Sequence, residues 1–267
     1  VRKSYDYRGI DKDAITKIKQ VDLSGNNIMF VGKYLWTKGI YLILLAIPKI
    51  LKEKPNSNFI IAGFGPFREP AEIILNCLAT GNIDLLKKVV ASNSLFHGDE
   101  GKQLPLINEI LEKYGNEIAA DVKALSFDIR SKVTFTGILN HKQLVNLLPA
   151  MDVQIAPSVF PEAFGMVAIE AASCGVYPVL TYQSAFREIG DQIRELVDYD
   201  TRMEWGQLRR LDLMHPLQIL LSILFYHFHN FKFKYGQNAY FVIEFNAFTM
   251  KNRPASQISC PSCFFEP

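Results

Sequence analysis

Two glutamates separated by seven residues, Glu162 and Glu170, are the side chains of this sequence whose positions suggest chemistry most directly. Pro157 and Pro161 bracket a loop that contains Glu162, and Glu170 lies in a stretch whose apolar residues recur at helical spacing. A helix N-terminus offers unpaired N–H groups and a positive dipole end, which together hold a phosphate. A carboxylate on either side of a bound diphosphate would then accept hydrogen bonds from a sugar and from a ribose.

The same two glutamates have a plainer interpretation. Spacing alone favours an exposed loop glutamate followed by a solvated helix glutamate. The helical spacing predicts a helix over residues 164–174, and Gly165 near its start is predicted to leave room for an approaching phosphate because it has no side chain. Gly175 is predicted to end the same helix in a left-handed cap.

The elements that must position these glutamates are short strands alternating with helices. Apolar runs predict five buried strands, and helical patterns separate them; the runs are residues 28–31, 58–62, 133–136, 153–156 and 176–180. This alternation predicts an α/β fold with a Rossmann-like, doubly wound parallel sheet, whose ligands gather at the carboxyl ends of the strands.

Every candidate loop follows one of the predicted strands. The loops are residues 32–38, 63–65, 137–139 and 158–165, and chance would seldom place all four at the same edge of a sheet. The arrangement indicates a ligand site without naming the ligand.

The segment 162–170, E-A-F-G-M-V-A-I-E, resembles the E-x7-E signature of GT4-family retaining glycosyltransferases, also described as glycosyltransferase group 1. The flanking PSVFP and AASCGVYPVL resemble the donor-binding segment of that family, and the likeness extends over about residues 28–191. The resemblance implies that the chain supplies one half of a GT-B fold, the C-terminal domain that binds the donor.

The loop G-K-Y-L-W-T-K-G at 32–39 resembles the family's G-R-x-x-x-x-K-G loop, in which an Arg and a Lys hold the donor diphosphate. By this resemblance Gly32 begins the loop, Lys33 stands in the Arg position and Lys38 in the Lys position. Lys33 keeps the charge but lacks the planar fork of arginine that grips two oxygens at once. Two loop lysines with no resemblance to support them would simply be solvated.

The remaining donor contacts also follow from the resemblance. Phe164 and the backbone N–H groups of Gly165, Met166 and Val167 would face the diphosphate. Glu162 would hold the sugar hydroxyls near the reacting carbon, beside the cations Lys33 and Lys38, and Glu170 would bind the ribose hydroxyls. The apolar residues after the third strand would meet the nucleobase, although ordinary core positions look the same; these are Ile138, Leu139 and Leu144.

Gly63 and Gly65 belong to a G-x-G-P turn that the family also carries, and we expect them to let the backbone turn sharply beside the ligand. The stretch 63–68 nearly matches a dinucleotide fingerprint, but Arg68 occupies the place of the last glycine. No acidic residue follows at the required distance, so a nicotinamide or flavin site is excluded.

The reaction that the resemblance implies is transfer of a hexosyl group from a nucleotide diphosphate sugar to a hydroxyl acceptor, with retention at the anomeric carbon. No metal ion or cofactor is expected, because the cations and the helix end would stabilise the leaving diphosphate. Two alternatives stay open: a nucleotide-sugar-binding domain or fragment without turnover, which lacks an N-terminal acceptor domain or chain, and a degenerate domain that only docks a partner.

Composition narrows the class of protein further. The 267 residues carry a net charge of +2 and 49% hydrophobic residues, which gives no reason to expect a nucleic acid or an anionic membrane as partner. Four scattered cysteines suggest a reducing, cytoplasmic compartment. Cys260 and Cys263 form a single C-x-x-C, which is a weak metal signal, and the nearby histidines fit no zinc-finger spacing.

The predicted organisation has three parts. Residues 1–26 are interpreted as a linker, and residues 27–200 as the donor-binding domain with a helical insertion at about 69–131. Residues 201–267 form an aromatic-rich tail that does not resemble the family, and we hypothesise a shifted reading frame there. The chain is expected to be a fragment. The apolar stretch 217–228 is too short and too polar to predict a membrane span.

Overall fold

A five-stranded parallel sheet forms the centre of the computed structural model, which describes residues 11–92, 96, 105–196, 240–242 and 251–253. The spatial order is β3-β2-β1-β4-β5, and the strands are β1 Asn26–Val31, β2 Ser57–Ala62, β3 Val133–Gly137, β4 Val153–Ala156 and β5 Tyr177–Leu180. All five predicted strands and the doubly wound α/β class are therefore confirmed. The register pairs Ile28 with Phe59 on one side and with Val153 on the other.

Eight α-helices are seen in the described ranges: α1 Ala14–Gln20, α2 Ile40–Glu53, α3 Arg68–Ala79, α4 Ile83–Ser92, α5 Pro105–Lys123, α6 His141–Leu147, α7 Met166–Ser173 and α8 Ser184–Leu196. Short 3-10 turns occur at Trp36–Lys38, Ile129–Lys132 and Leu148–Ala150. A small antiparallel pair, β6 Tyr240–Val242 with β7 Lys251–Arg253, forms a second, two-stranded sheet.

Helices cover both faces of the sheet because side chains alternate along each strand. Ile28 and Phe30 of β1 point into the core that α2, α3, α4 and α5 share. Met29 points to the opposite face, where it packs with residues of α6 and α7. Phe186 and Ile189 of α8 form a third cluster with Ala168 of α7.

The predicted insertion contains helices α3, α4 and α5, and these helices build the core rather than an appendage. Ile74, Leu86 and Ile110 are fully buried in the cluster that also holds α2 and the sheet. Lys52 of α2 donates a hydrogen bond of 2.6 Å to Oδ1 of Asp121 in α5, whose side chain is 3% exposed. The three helices therefore bury apolar side chains against one face of the sheet, and this burial stabilises the domain.

The described part of the predicted linker also packs on this domain. The N–H of Asp11 donates to the carbonyl of Thr136 in β3 at 2.9 Å, and the Asp11 carboxylate pairs with Arg68 at 2.7 Å. Arg68 is buried, and its guanidinium lies 4.3 Å from the centre of the Phe135 ring. Residues 11–20 are thus held against β3, and the boundary predicted at residue 26 does not separate them from the sheet.

The predicted tail lies almost wholly outside the described residues, including the apolar stretch 217–228, the histidines and the C-x-x-C. Within the described ranges, no helix combines the length and the apolar character that a bilayer crossing requires.

Candidate functional site

The sheet has one topological switch point, between β1 and β4. The chain proceeds from β1 outward to β2 and β3, and then crosses to β4 and β5 on the other side. The loops that leave β1 and β4 therefore lie at the switch point, beside the carboxyl ends of the strands, where ligands of open α/β sheets bind. The N–H of Val159 donates to the carbonyl of Thr37 at 2.9 Å, so these two loops are in direct contact.

Gly63 and Gly65 of the G-x-G-P turn lie where the loop after β2 contacts the loop after β1. Gly63 and Gly65 have φ values of +145° and +141°, which other residues rarely adopt. A Cβ at Gly63 would lie 1.7 Å from the carbonyl oxygen of Gly32, and a Cβ at Gly65 would lie 2.6 Å from that of Tyr34. The predicted sharp turn agrees with these φ values, and the glycines also allow the loops after β1 and β2 to touch; their place beside a ligand stays a prediction.

Gly39 fixes the position of Lys38. Gly39 ends the 3-10 turn Trp36–Lys38 in the left-handed conformation, with φ of +68°, and α2 begins at the next residue. A Cβ at Gly39 would lie 2.0 Å from the carbonyl oxygen of Pro157. Lys38 is therefore held where the loop after β1 meets the loop after β4.

Lys38 and Glu162, which the sequence placed in separate motifs, form an ion pair. The Lys38 ammonium donates to Oε1 of Glu162, and the same oxygen accepts from Oγ of Ser158 at 2.5 Å. The side chain of Glu162 is 15% exposed and that of Lys38 is 30% exposed. Glu162 is therefore not the solvated loop glutamate of the plainer interpretation.

The backbone of Glu162 is bound by the beginning of α8. Its N–H donates to Oγ of Ser184 at 2.7 Å, and its carbonyl accepts from the N–H of Ala185 at 3.3 Å. Sequence reasoning missed both Ser184 and Ser158 as partners of Glu162. Ser158 lay inside the segment that resembles the donor-binding region, whereas Ser184 carried no signal beyond its place at a helix start.

Helix α7 begins at Met166, two residues later than predicted, and ends as predicted before Gly175, which is left-handed with φ of +76°. Gly165 precedes the helix with φ of +63°, and a Cβ there would lie 2.7 Å from Cδ1 of Ile189. Gly165 is thus needed for its conformation and for packing on α8, in addition to any room it leaves for a phosphate. The N–H groups of Met166 and Val167 start the helix and have no intrahelical acceptor.

Glu170 faces a different neighbour from Glu162. Burial raises the pKa of its carboxyl above the ordinary value, and the positive charge of His141 opposes that rise. His141 is the first residue of α6, and Asn140 and Gln143 cap that helix reciprocally. Among the described residues we find no hydrogen bond to the Glu170 carboxylate, which leaves its oxygens as acceptors.

Other predicted site residues have mixed environments. Lys33 is exposed, and no ion pair to it is found within the described ranges. Leu139 is buried with Leu147 in the core, which agrees with the ordinary core alternative, whereas Ile138 and Leu144 are partly exposed. Phe164 and Met166 are 78% and 49% exposed, and Phe160 nearby is 58% exposed. In the described part of the chain, no group of three or more His, Cys, Asp or Glu residues could hold a metal ion.

Part of the chain is similar to known glycosyltransferases. Residues 117–192 match the family described as glycosyl transferases group 1, a range that includes both glutamates and Ser184 but not Lys33 or Lys38. An uncharacterized glycosyltransferase of Methanocaldococcus jannaschii is 28% identical over 162 residues, which are 61% of this chain and 28% of that protein. The gpi3 subunit of phosphatidylinositol N-acetylglucosaminyltransferase from Schizosaccharomyces pombe is 25% identical, over 61% of this chain and 25% of the subunit.

Among solved structures, Anabaena HepE in complex with UDP-glucose is similar at 16% identity and a TM-score of 0.37, over 80% of this chain and 48% of that one. The chain spans about a quarter of the length of the two curated relatives. It is thus similar to glycosyltransferases over a part of their length, and the family match includes Glu162 and Glu170.

Proposed function

We propose that this chain carries the donor-binding half of a GT-B, GT4-type retaining glycosyltransferase. The reaction would transfer a hexosyl group from a nucleotide diphosphate sugar to a hydroxyl acceptor. The observation that supports this most directly is the Lys38–Glu162 pair at the switch point, which joins the loop after β1 to the loop that leads into α7. A cation, a carboxylate and a free helix N-terminus together suit a diphosphate joined to a polyhydroxylated sugar.

In the proposed mechanism the Lys38 ammonium exchanges Glu162 for the diphosphate oxygens when the donor binds. The exchange neutralises the charge that develops on the leaving diphosphate, and it frees the Glu162 carboxylate to accept hydrogen bonds from sugar hydroxyls. Lys33 is exposed on the loop after β1 that also carries Lys38, and it adds a second positive charge. The Coulomb attraction of both amines grows as the bound donor excludes water.

The rest of the donor would lie along α7. The N–H groups of Gly165, Met166 and Val167 would face the diphosphate, with Phe164 beside them. Glu170 would accept hydrogen bonds from the ribose hydroxyls, since its oxygens have no donor in the described structure, and Ile138 and Leu144 would border the nucleobase. The proposed reaction assigns no role to a metal ion, a cofactor or an enzyme nucleophile. The compartment we propose for the protein is the cytoplasm.

A second candidate function is donor binding without turnover. It is favoured by the share of the relatives that the chain spans, about a quarter of their length, because acceptor recognition would then reside in a separate domain or chain. The name of the Schizosaccharomyces pombe relative identifies an N-acetylglucosaminyl group and phosphatidylinositol. This makes UDP-N-acetylglucosamine and inositol lipids the first donor and acceptor to try.

Calorimetry with UDP-N-acetylglucosamine, UDP-glucose and GDP-mannose tests the proposal, together with a radiolabelled transfer assay on lipid and soluble hydroxyl acceptors. Binding with transfer supports the glycosyltransferase, and binding without transfer supports the second function. If the chain binds neither nucleotide sugars nor the free nucleotides UDP and GDP, both candidate functions are refuted.

A further inference from the structure

Ser184 has an unusual backbone conformation for a serine. Its φ is +46°, and among the described residues it is the one residue other than glycine with a positive φ. Side chains with a Cβ avoid this region because of steric conflict with the backbone, so the conformation persists where surrounding contacts impose it. Such residues concentrate at functional sites.

The hydroxyl of Ser184 is not used as a serine at a helix start ordinarily is. A capping serine accepts a hydrogen bond from an N–H of its own helix, two or three residues later. Here Oγ instead accepts from the N–H of Glu162, 22 positions earlier in the chain, at 2.7 Å. The N–H of Ala185 donates to the carbonyl of Glu162, so the first two residues of α8 bind both backbone groups of that glutamate.

The turn after β5 holds the other partner of the Glu162 carboxylate as well. Thr181 Oγ1 and Gln183 Nε2 both donate to the carbonyl of Ser158, at 2.9 Å and 2.6 Å. Ser158 in turn donates its hydroxyl to the carboxylate of Glu162. Residues 181–184 therefore fix the position of Glu162 and the orientation of its carboxylate through separate hydrogen bonds.

This turn has a rigid support. Phe186 of α8 is 1% exposed and packs against the backbone at Gly165, where a Cβ would lie 2.9 Å from its ring. Tyr182 donates its hydroxyl to the Asp191 carboxylate at 3.1 Å. This hydrogen bond joins the turn to the middle of α8. A loop carboxylate held by a packed helix keeps one orientation, as precise recognition of a sugar hydroxyl requires.

We infer that Ser184 is a positioning residue for Glu162, and that the turn 181–184 determines how tightly the sugar of the donor is held. The inference rests on the proposed function. It assigns to the turn after β5 a role in recognising the hexosyl group, while the diphosphate and nucleoside are bound by other elements. Loss of the Ser184 hydroxyl should therefore weaken the contribution of the sugar to binding and leave that of the nucleotide.

Two variants separate the hydroxyl from the backbone conformation. Ser184→Gly removes the hydroxyl and adopts a positive φ without strain, whereas Ser184→Ala removes the hydroxyl and keeps the unfavourable φ. Ser92→Ala is the matched control, because its hydroxyl donates within α4 to the carbonyl of Lys88, away from the site. Calorimetry gives the Kd of each variant for UDP and for UDP-N-acetylglucosamine, UDP-glucose serving as the second sugar.

The quantity to compare is the ratio of the Kd for UDP to the Kd for the UDP-sugar. We expect this ratio to fall about fivefold in both Ser184 variants, as loss of one hydrogen bond predicts, and to stay unchanged in Ser92→Ala. Hydrogen exchange at the Glu162 amide should become faster in both Ser184 variants, since its acceptor is gone.

The outcomes distinguish the inference from the proposed function. Equal weakening of UDP and UDP-sugar binding, which leaves the ratio unchanged, means that Ser184 is merely structural. Unchanged Kd values for both ligands mean that Ser184 does not position Glu162; either result overturns the inference alone. A native chain that binds no nucleotide refutes the proposed function and the inference with it.

Discussion

Lys38 donates a hydrogen bond to Glu162 across 124 positions of the sequence and across the switch point of the sheet. Each residue belongs to a loop that follows a different strand, and the two loops also touch through Val159 and Thr37. Because the pair is partly buried, separating it without a replacement partner for either charge is unfavourable. A bound donor supplies both replacement partners: its diphosphate would pair with Lys38, and its sugar hydroxyls would bind Glu162.

Lys38→Ala is expected to weaken binding of a nucleotide sugar by about 1 to 3 kcal/mol, the range for losing a charged hydrogen bond. Lys33→Ala should cause a smaller loss, because its side chain is exposed and screened by solvent. Lys88→Ala, an exposed lysine on α4, controls for the change in net charge. Calorimetry at one fixed ionic strength measures all three, and equal effects of the three substitutions would contradict a specific role for Lys38.

The fold could be predicted from the sequence because its strands are short apolar runs with clear limits. The run 153–156 coincides with β4, and the runs 58–62 and 133–136 differ from β2 and β3 by one residue. The start of α7 was placed two residues early because Phe164 and Gly165 continue the apolar pattern, although the positive φ of Gly165 prevents it from being helical. Periodicity alone does not report φ.

The candidate site could be predicted only in part. Strand order placed the loops at one edge, but no local signal indicated that the amine of Lys38 would reach Glu162. The contact between loops that Gly63 and Gly65 allow was not predicted, because a close approach between two loops depends on tertiary structure. Ser184 was missed for a related reason. Its hydrogen bond to Glu162 joins the segment after β5 to the loop after β4, and a serine in the sequence does not indicate a positive φ.

Glu170→Gln should separate stability from binding. Burial raises the pKa of Glu170 in the folded protein, so between the ordinary glutamate pKa and the raised value the folded state keeps a proton that the unfolded state has lost. The free energy of unfolding therefore falls as pH rises through that interval. We expect the glutamine variant to be as stable as the native chain or more stable at neutral pH, measured by urea denaturation.

The same carboxyl should give nucleotide-sugar binding a pH dependence. An ionised Glu170 accepts hydrogen bonds from ribose hydroxyls, and protonation removes part of that capacity. Affinity of the native chain should therefore decrease as pH falls through the raised pKa of Glu170, whereas Glu170→Gln should bind about 1 to 3 kcal/mol more weakly at neutral pH with a flatter profile. Parallel profiles for the two proteins would rule out Glu170 as the titrating group.

Three glycine substitutions test how the loops are held together. Gly39→Ala introduces both an unfavourable φ and a Cβ 2.0 Å from the Pro157 carbonyl, whereas Gly175→Ala introduces the unfavourable φ with open space around it. We expect a loss of about 1 kcal/mol for Gly175→Ala and several times that loss for Gly39→Ala. Gly190→Ala, in α8 with ordinary φ and open space, should be stabilising by about 0.5 kcal/mol.

Urea denaturation gives the three unfolding free energies. If Gly39→Ala cost no more than Gly175→Ala, the loop after β1 would not be in contact with the loop after β4, and the position of Lys38 beside Glu162 would be wrong.

Arg68 is expected to attach α1 to the sheet. Its guanidinium pairs with Asp11 at 2.7 Å and with Glu72 at 2.9 Å, and its side chain is 9% exposed. Arg68→Ala should lower the free energy of unfolding by about 2 to 3 kcal/mol, because two carboxylates lose a buried cation, and Arg68→Lys should recover only part of it. Arg130→Ala, which removes an exposed local pair with Asp128, should change stability little. Hydrogen exchange of residues 11–20 is the decisive measurement: we expect faster exchange there in Arg68→Ala, and unchanged protection would mean that contacts with β3 hold α1 without this ion pair.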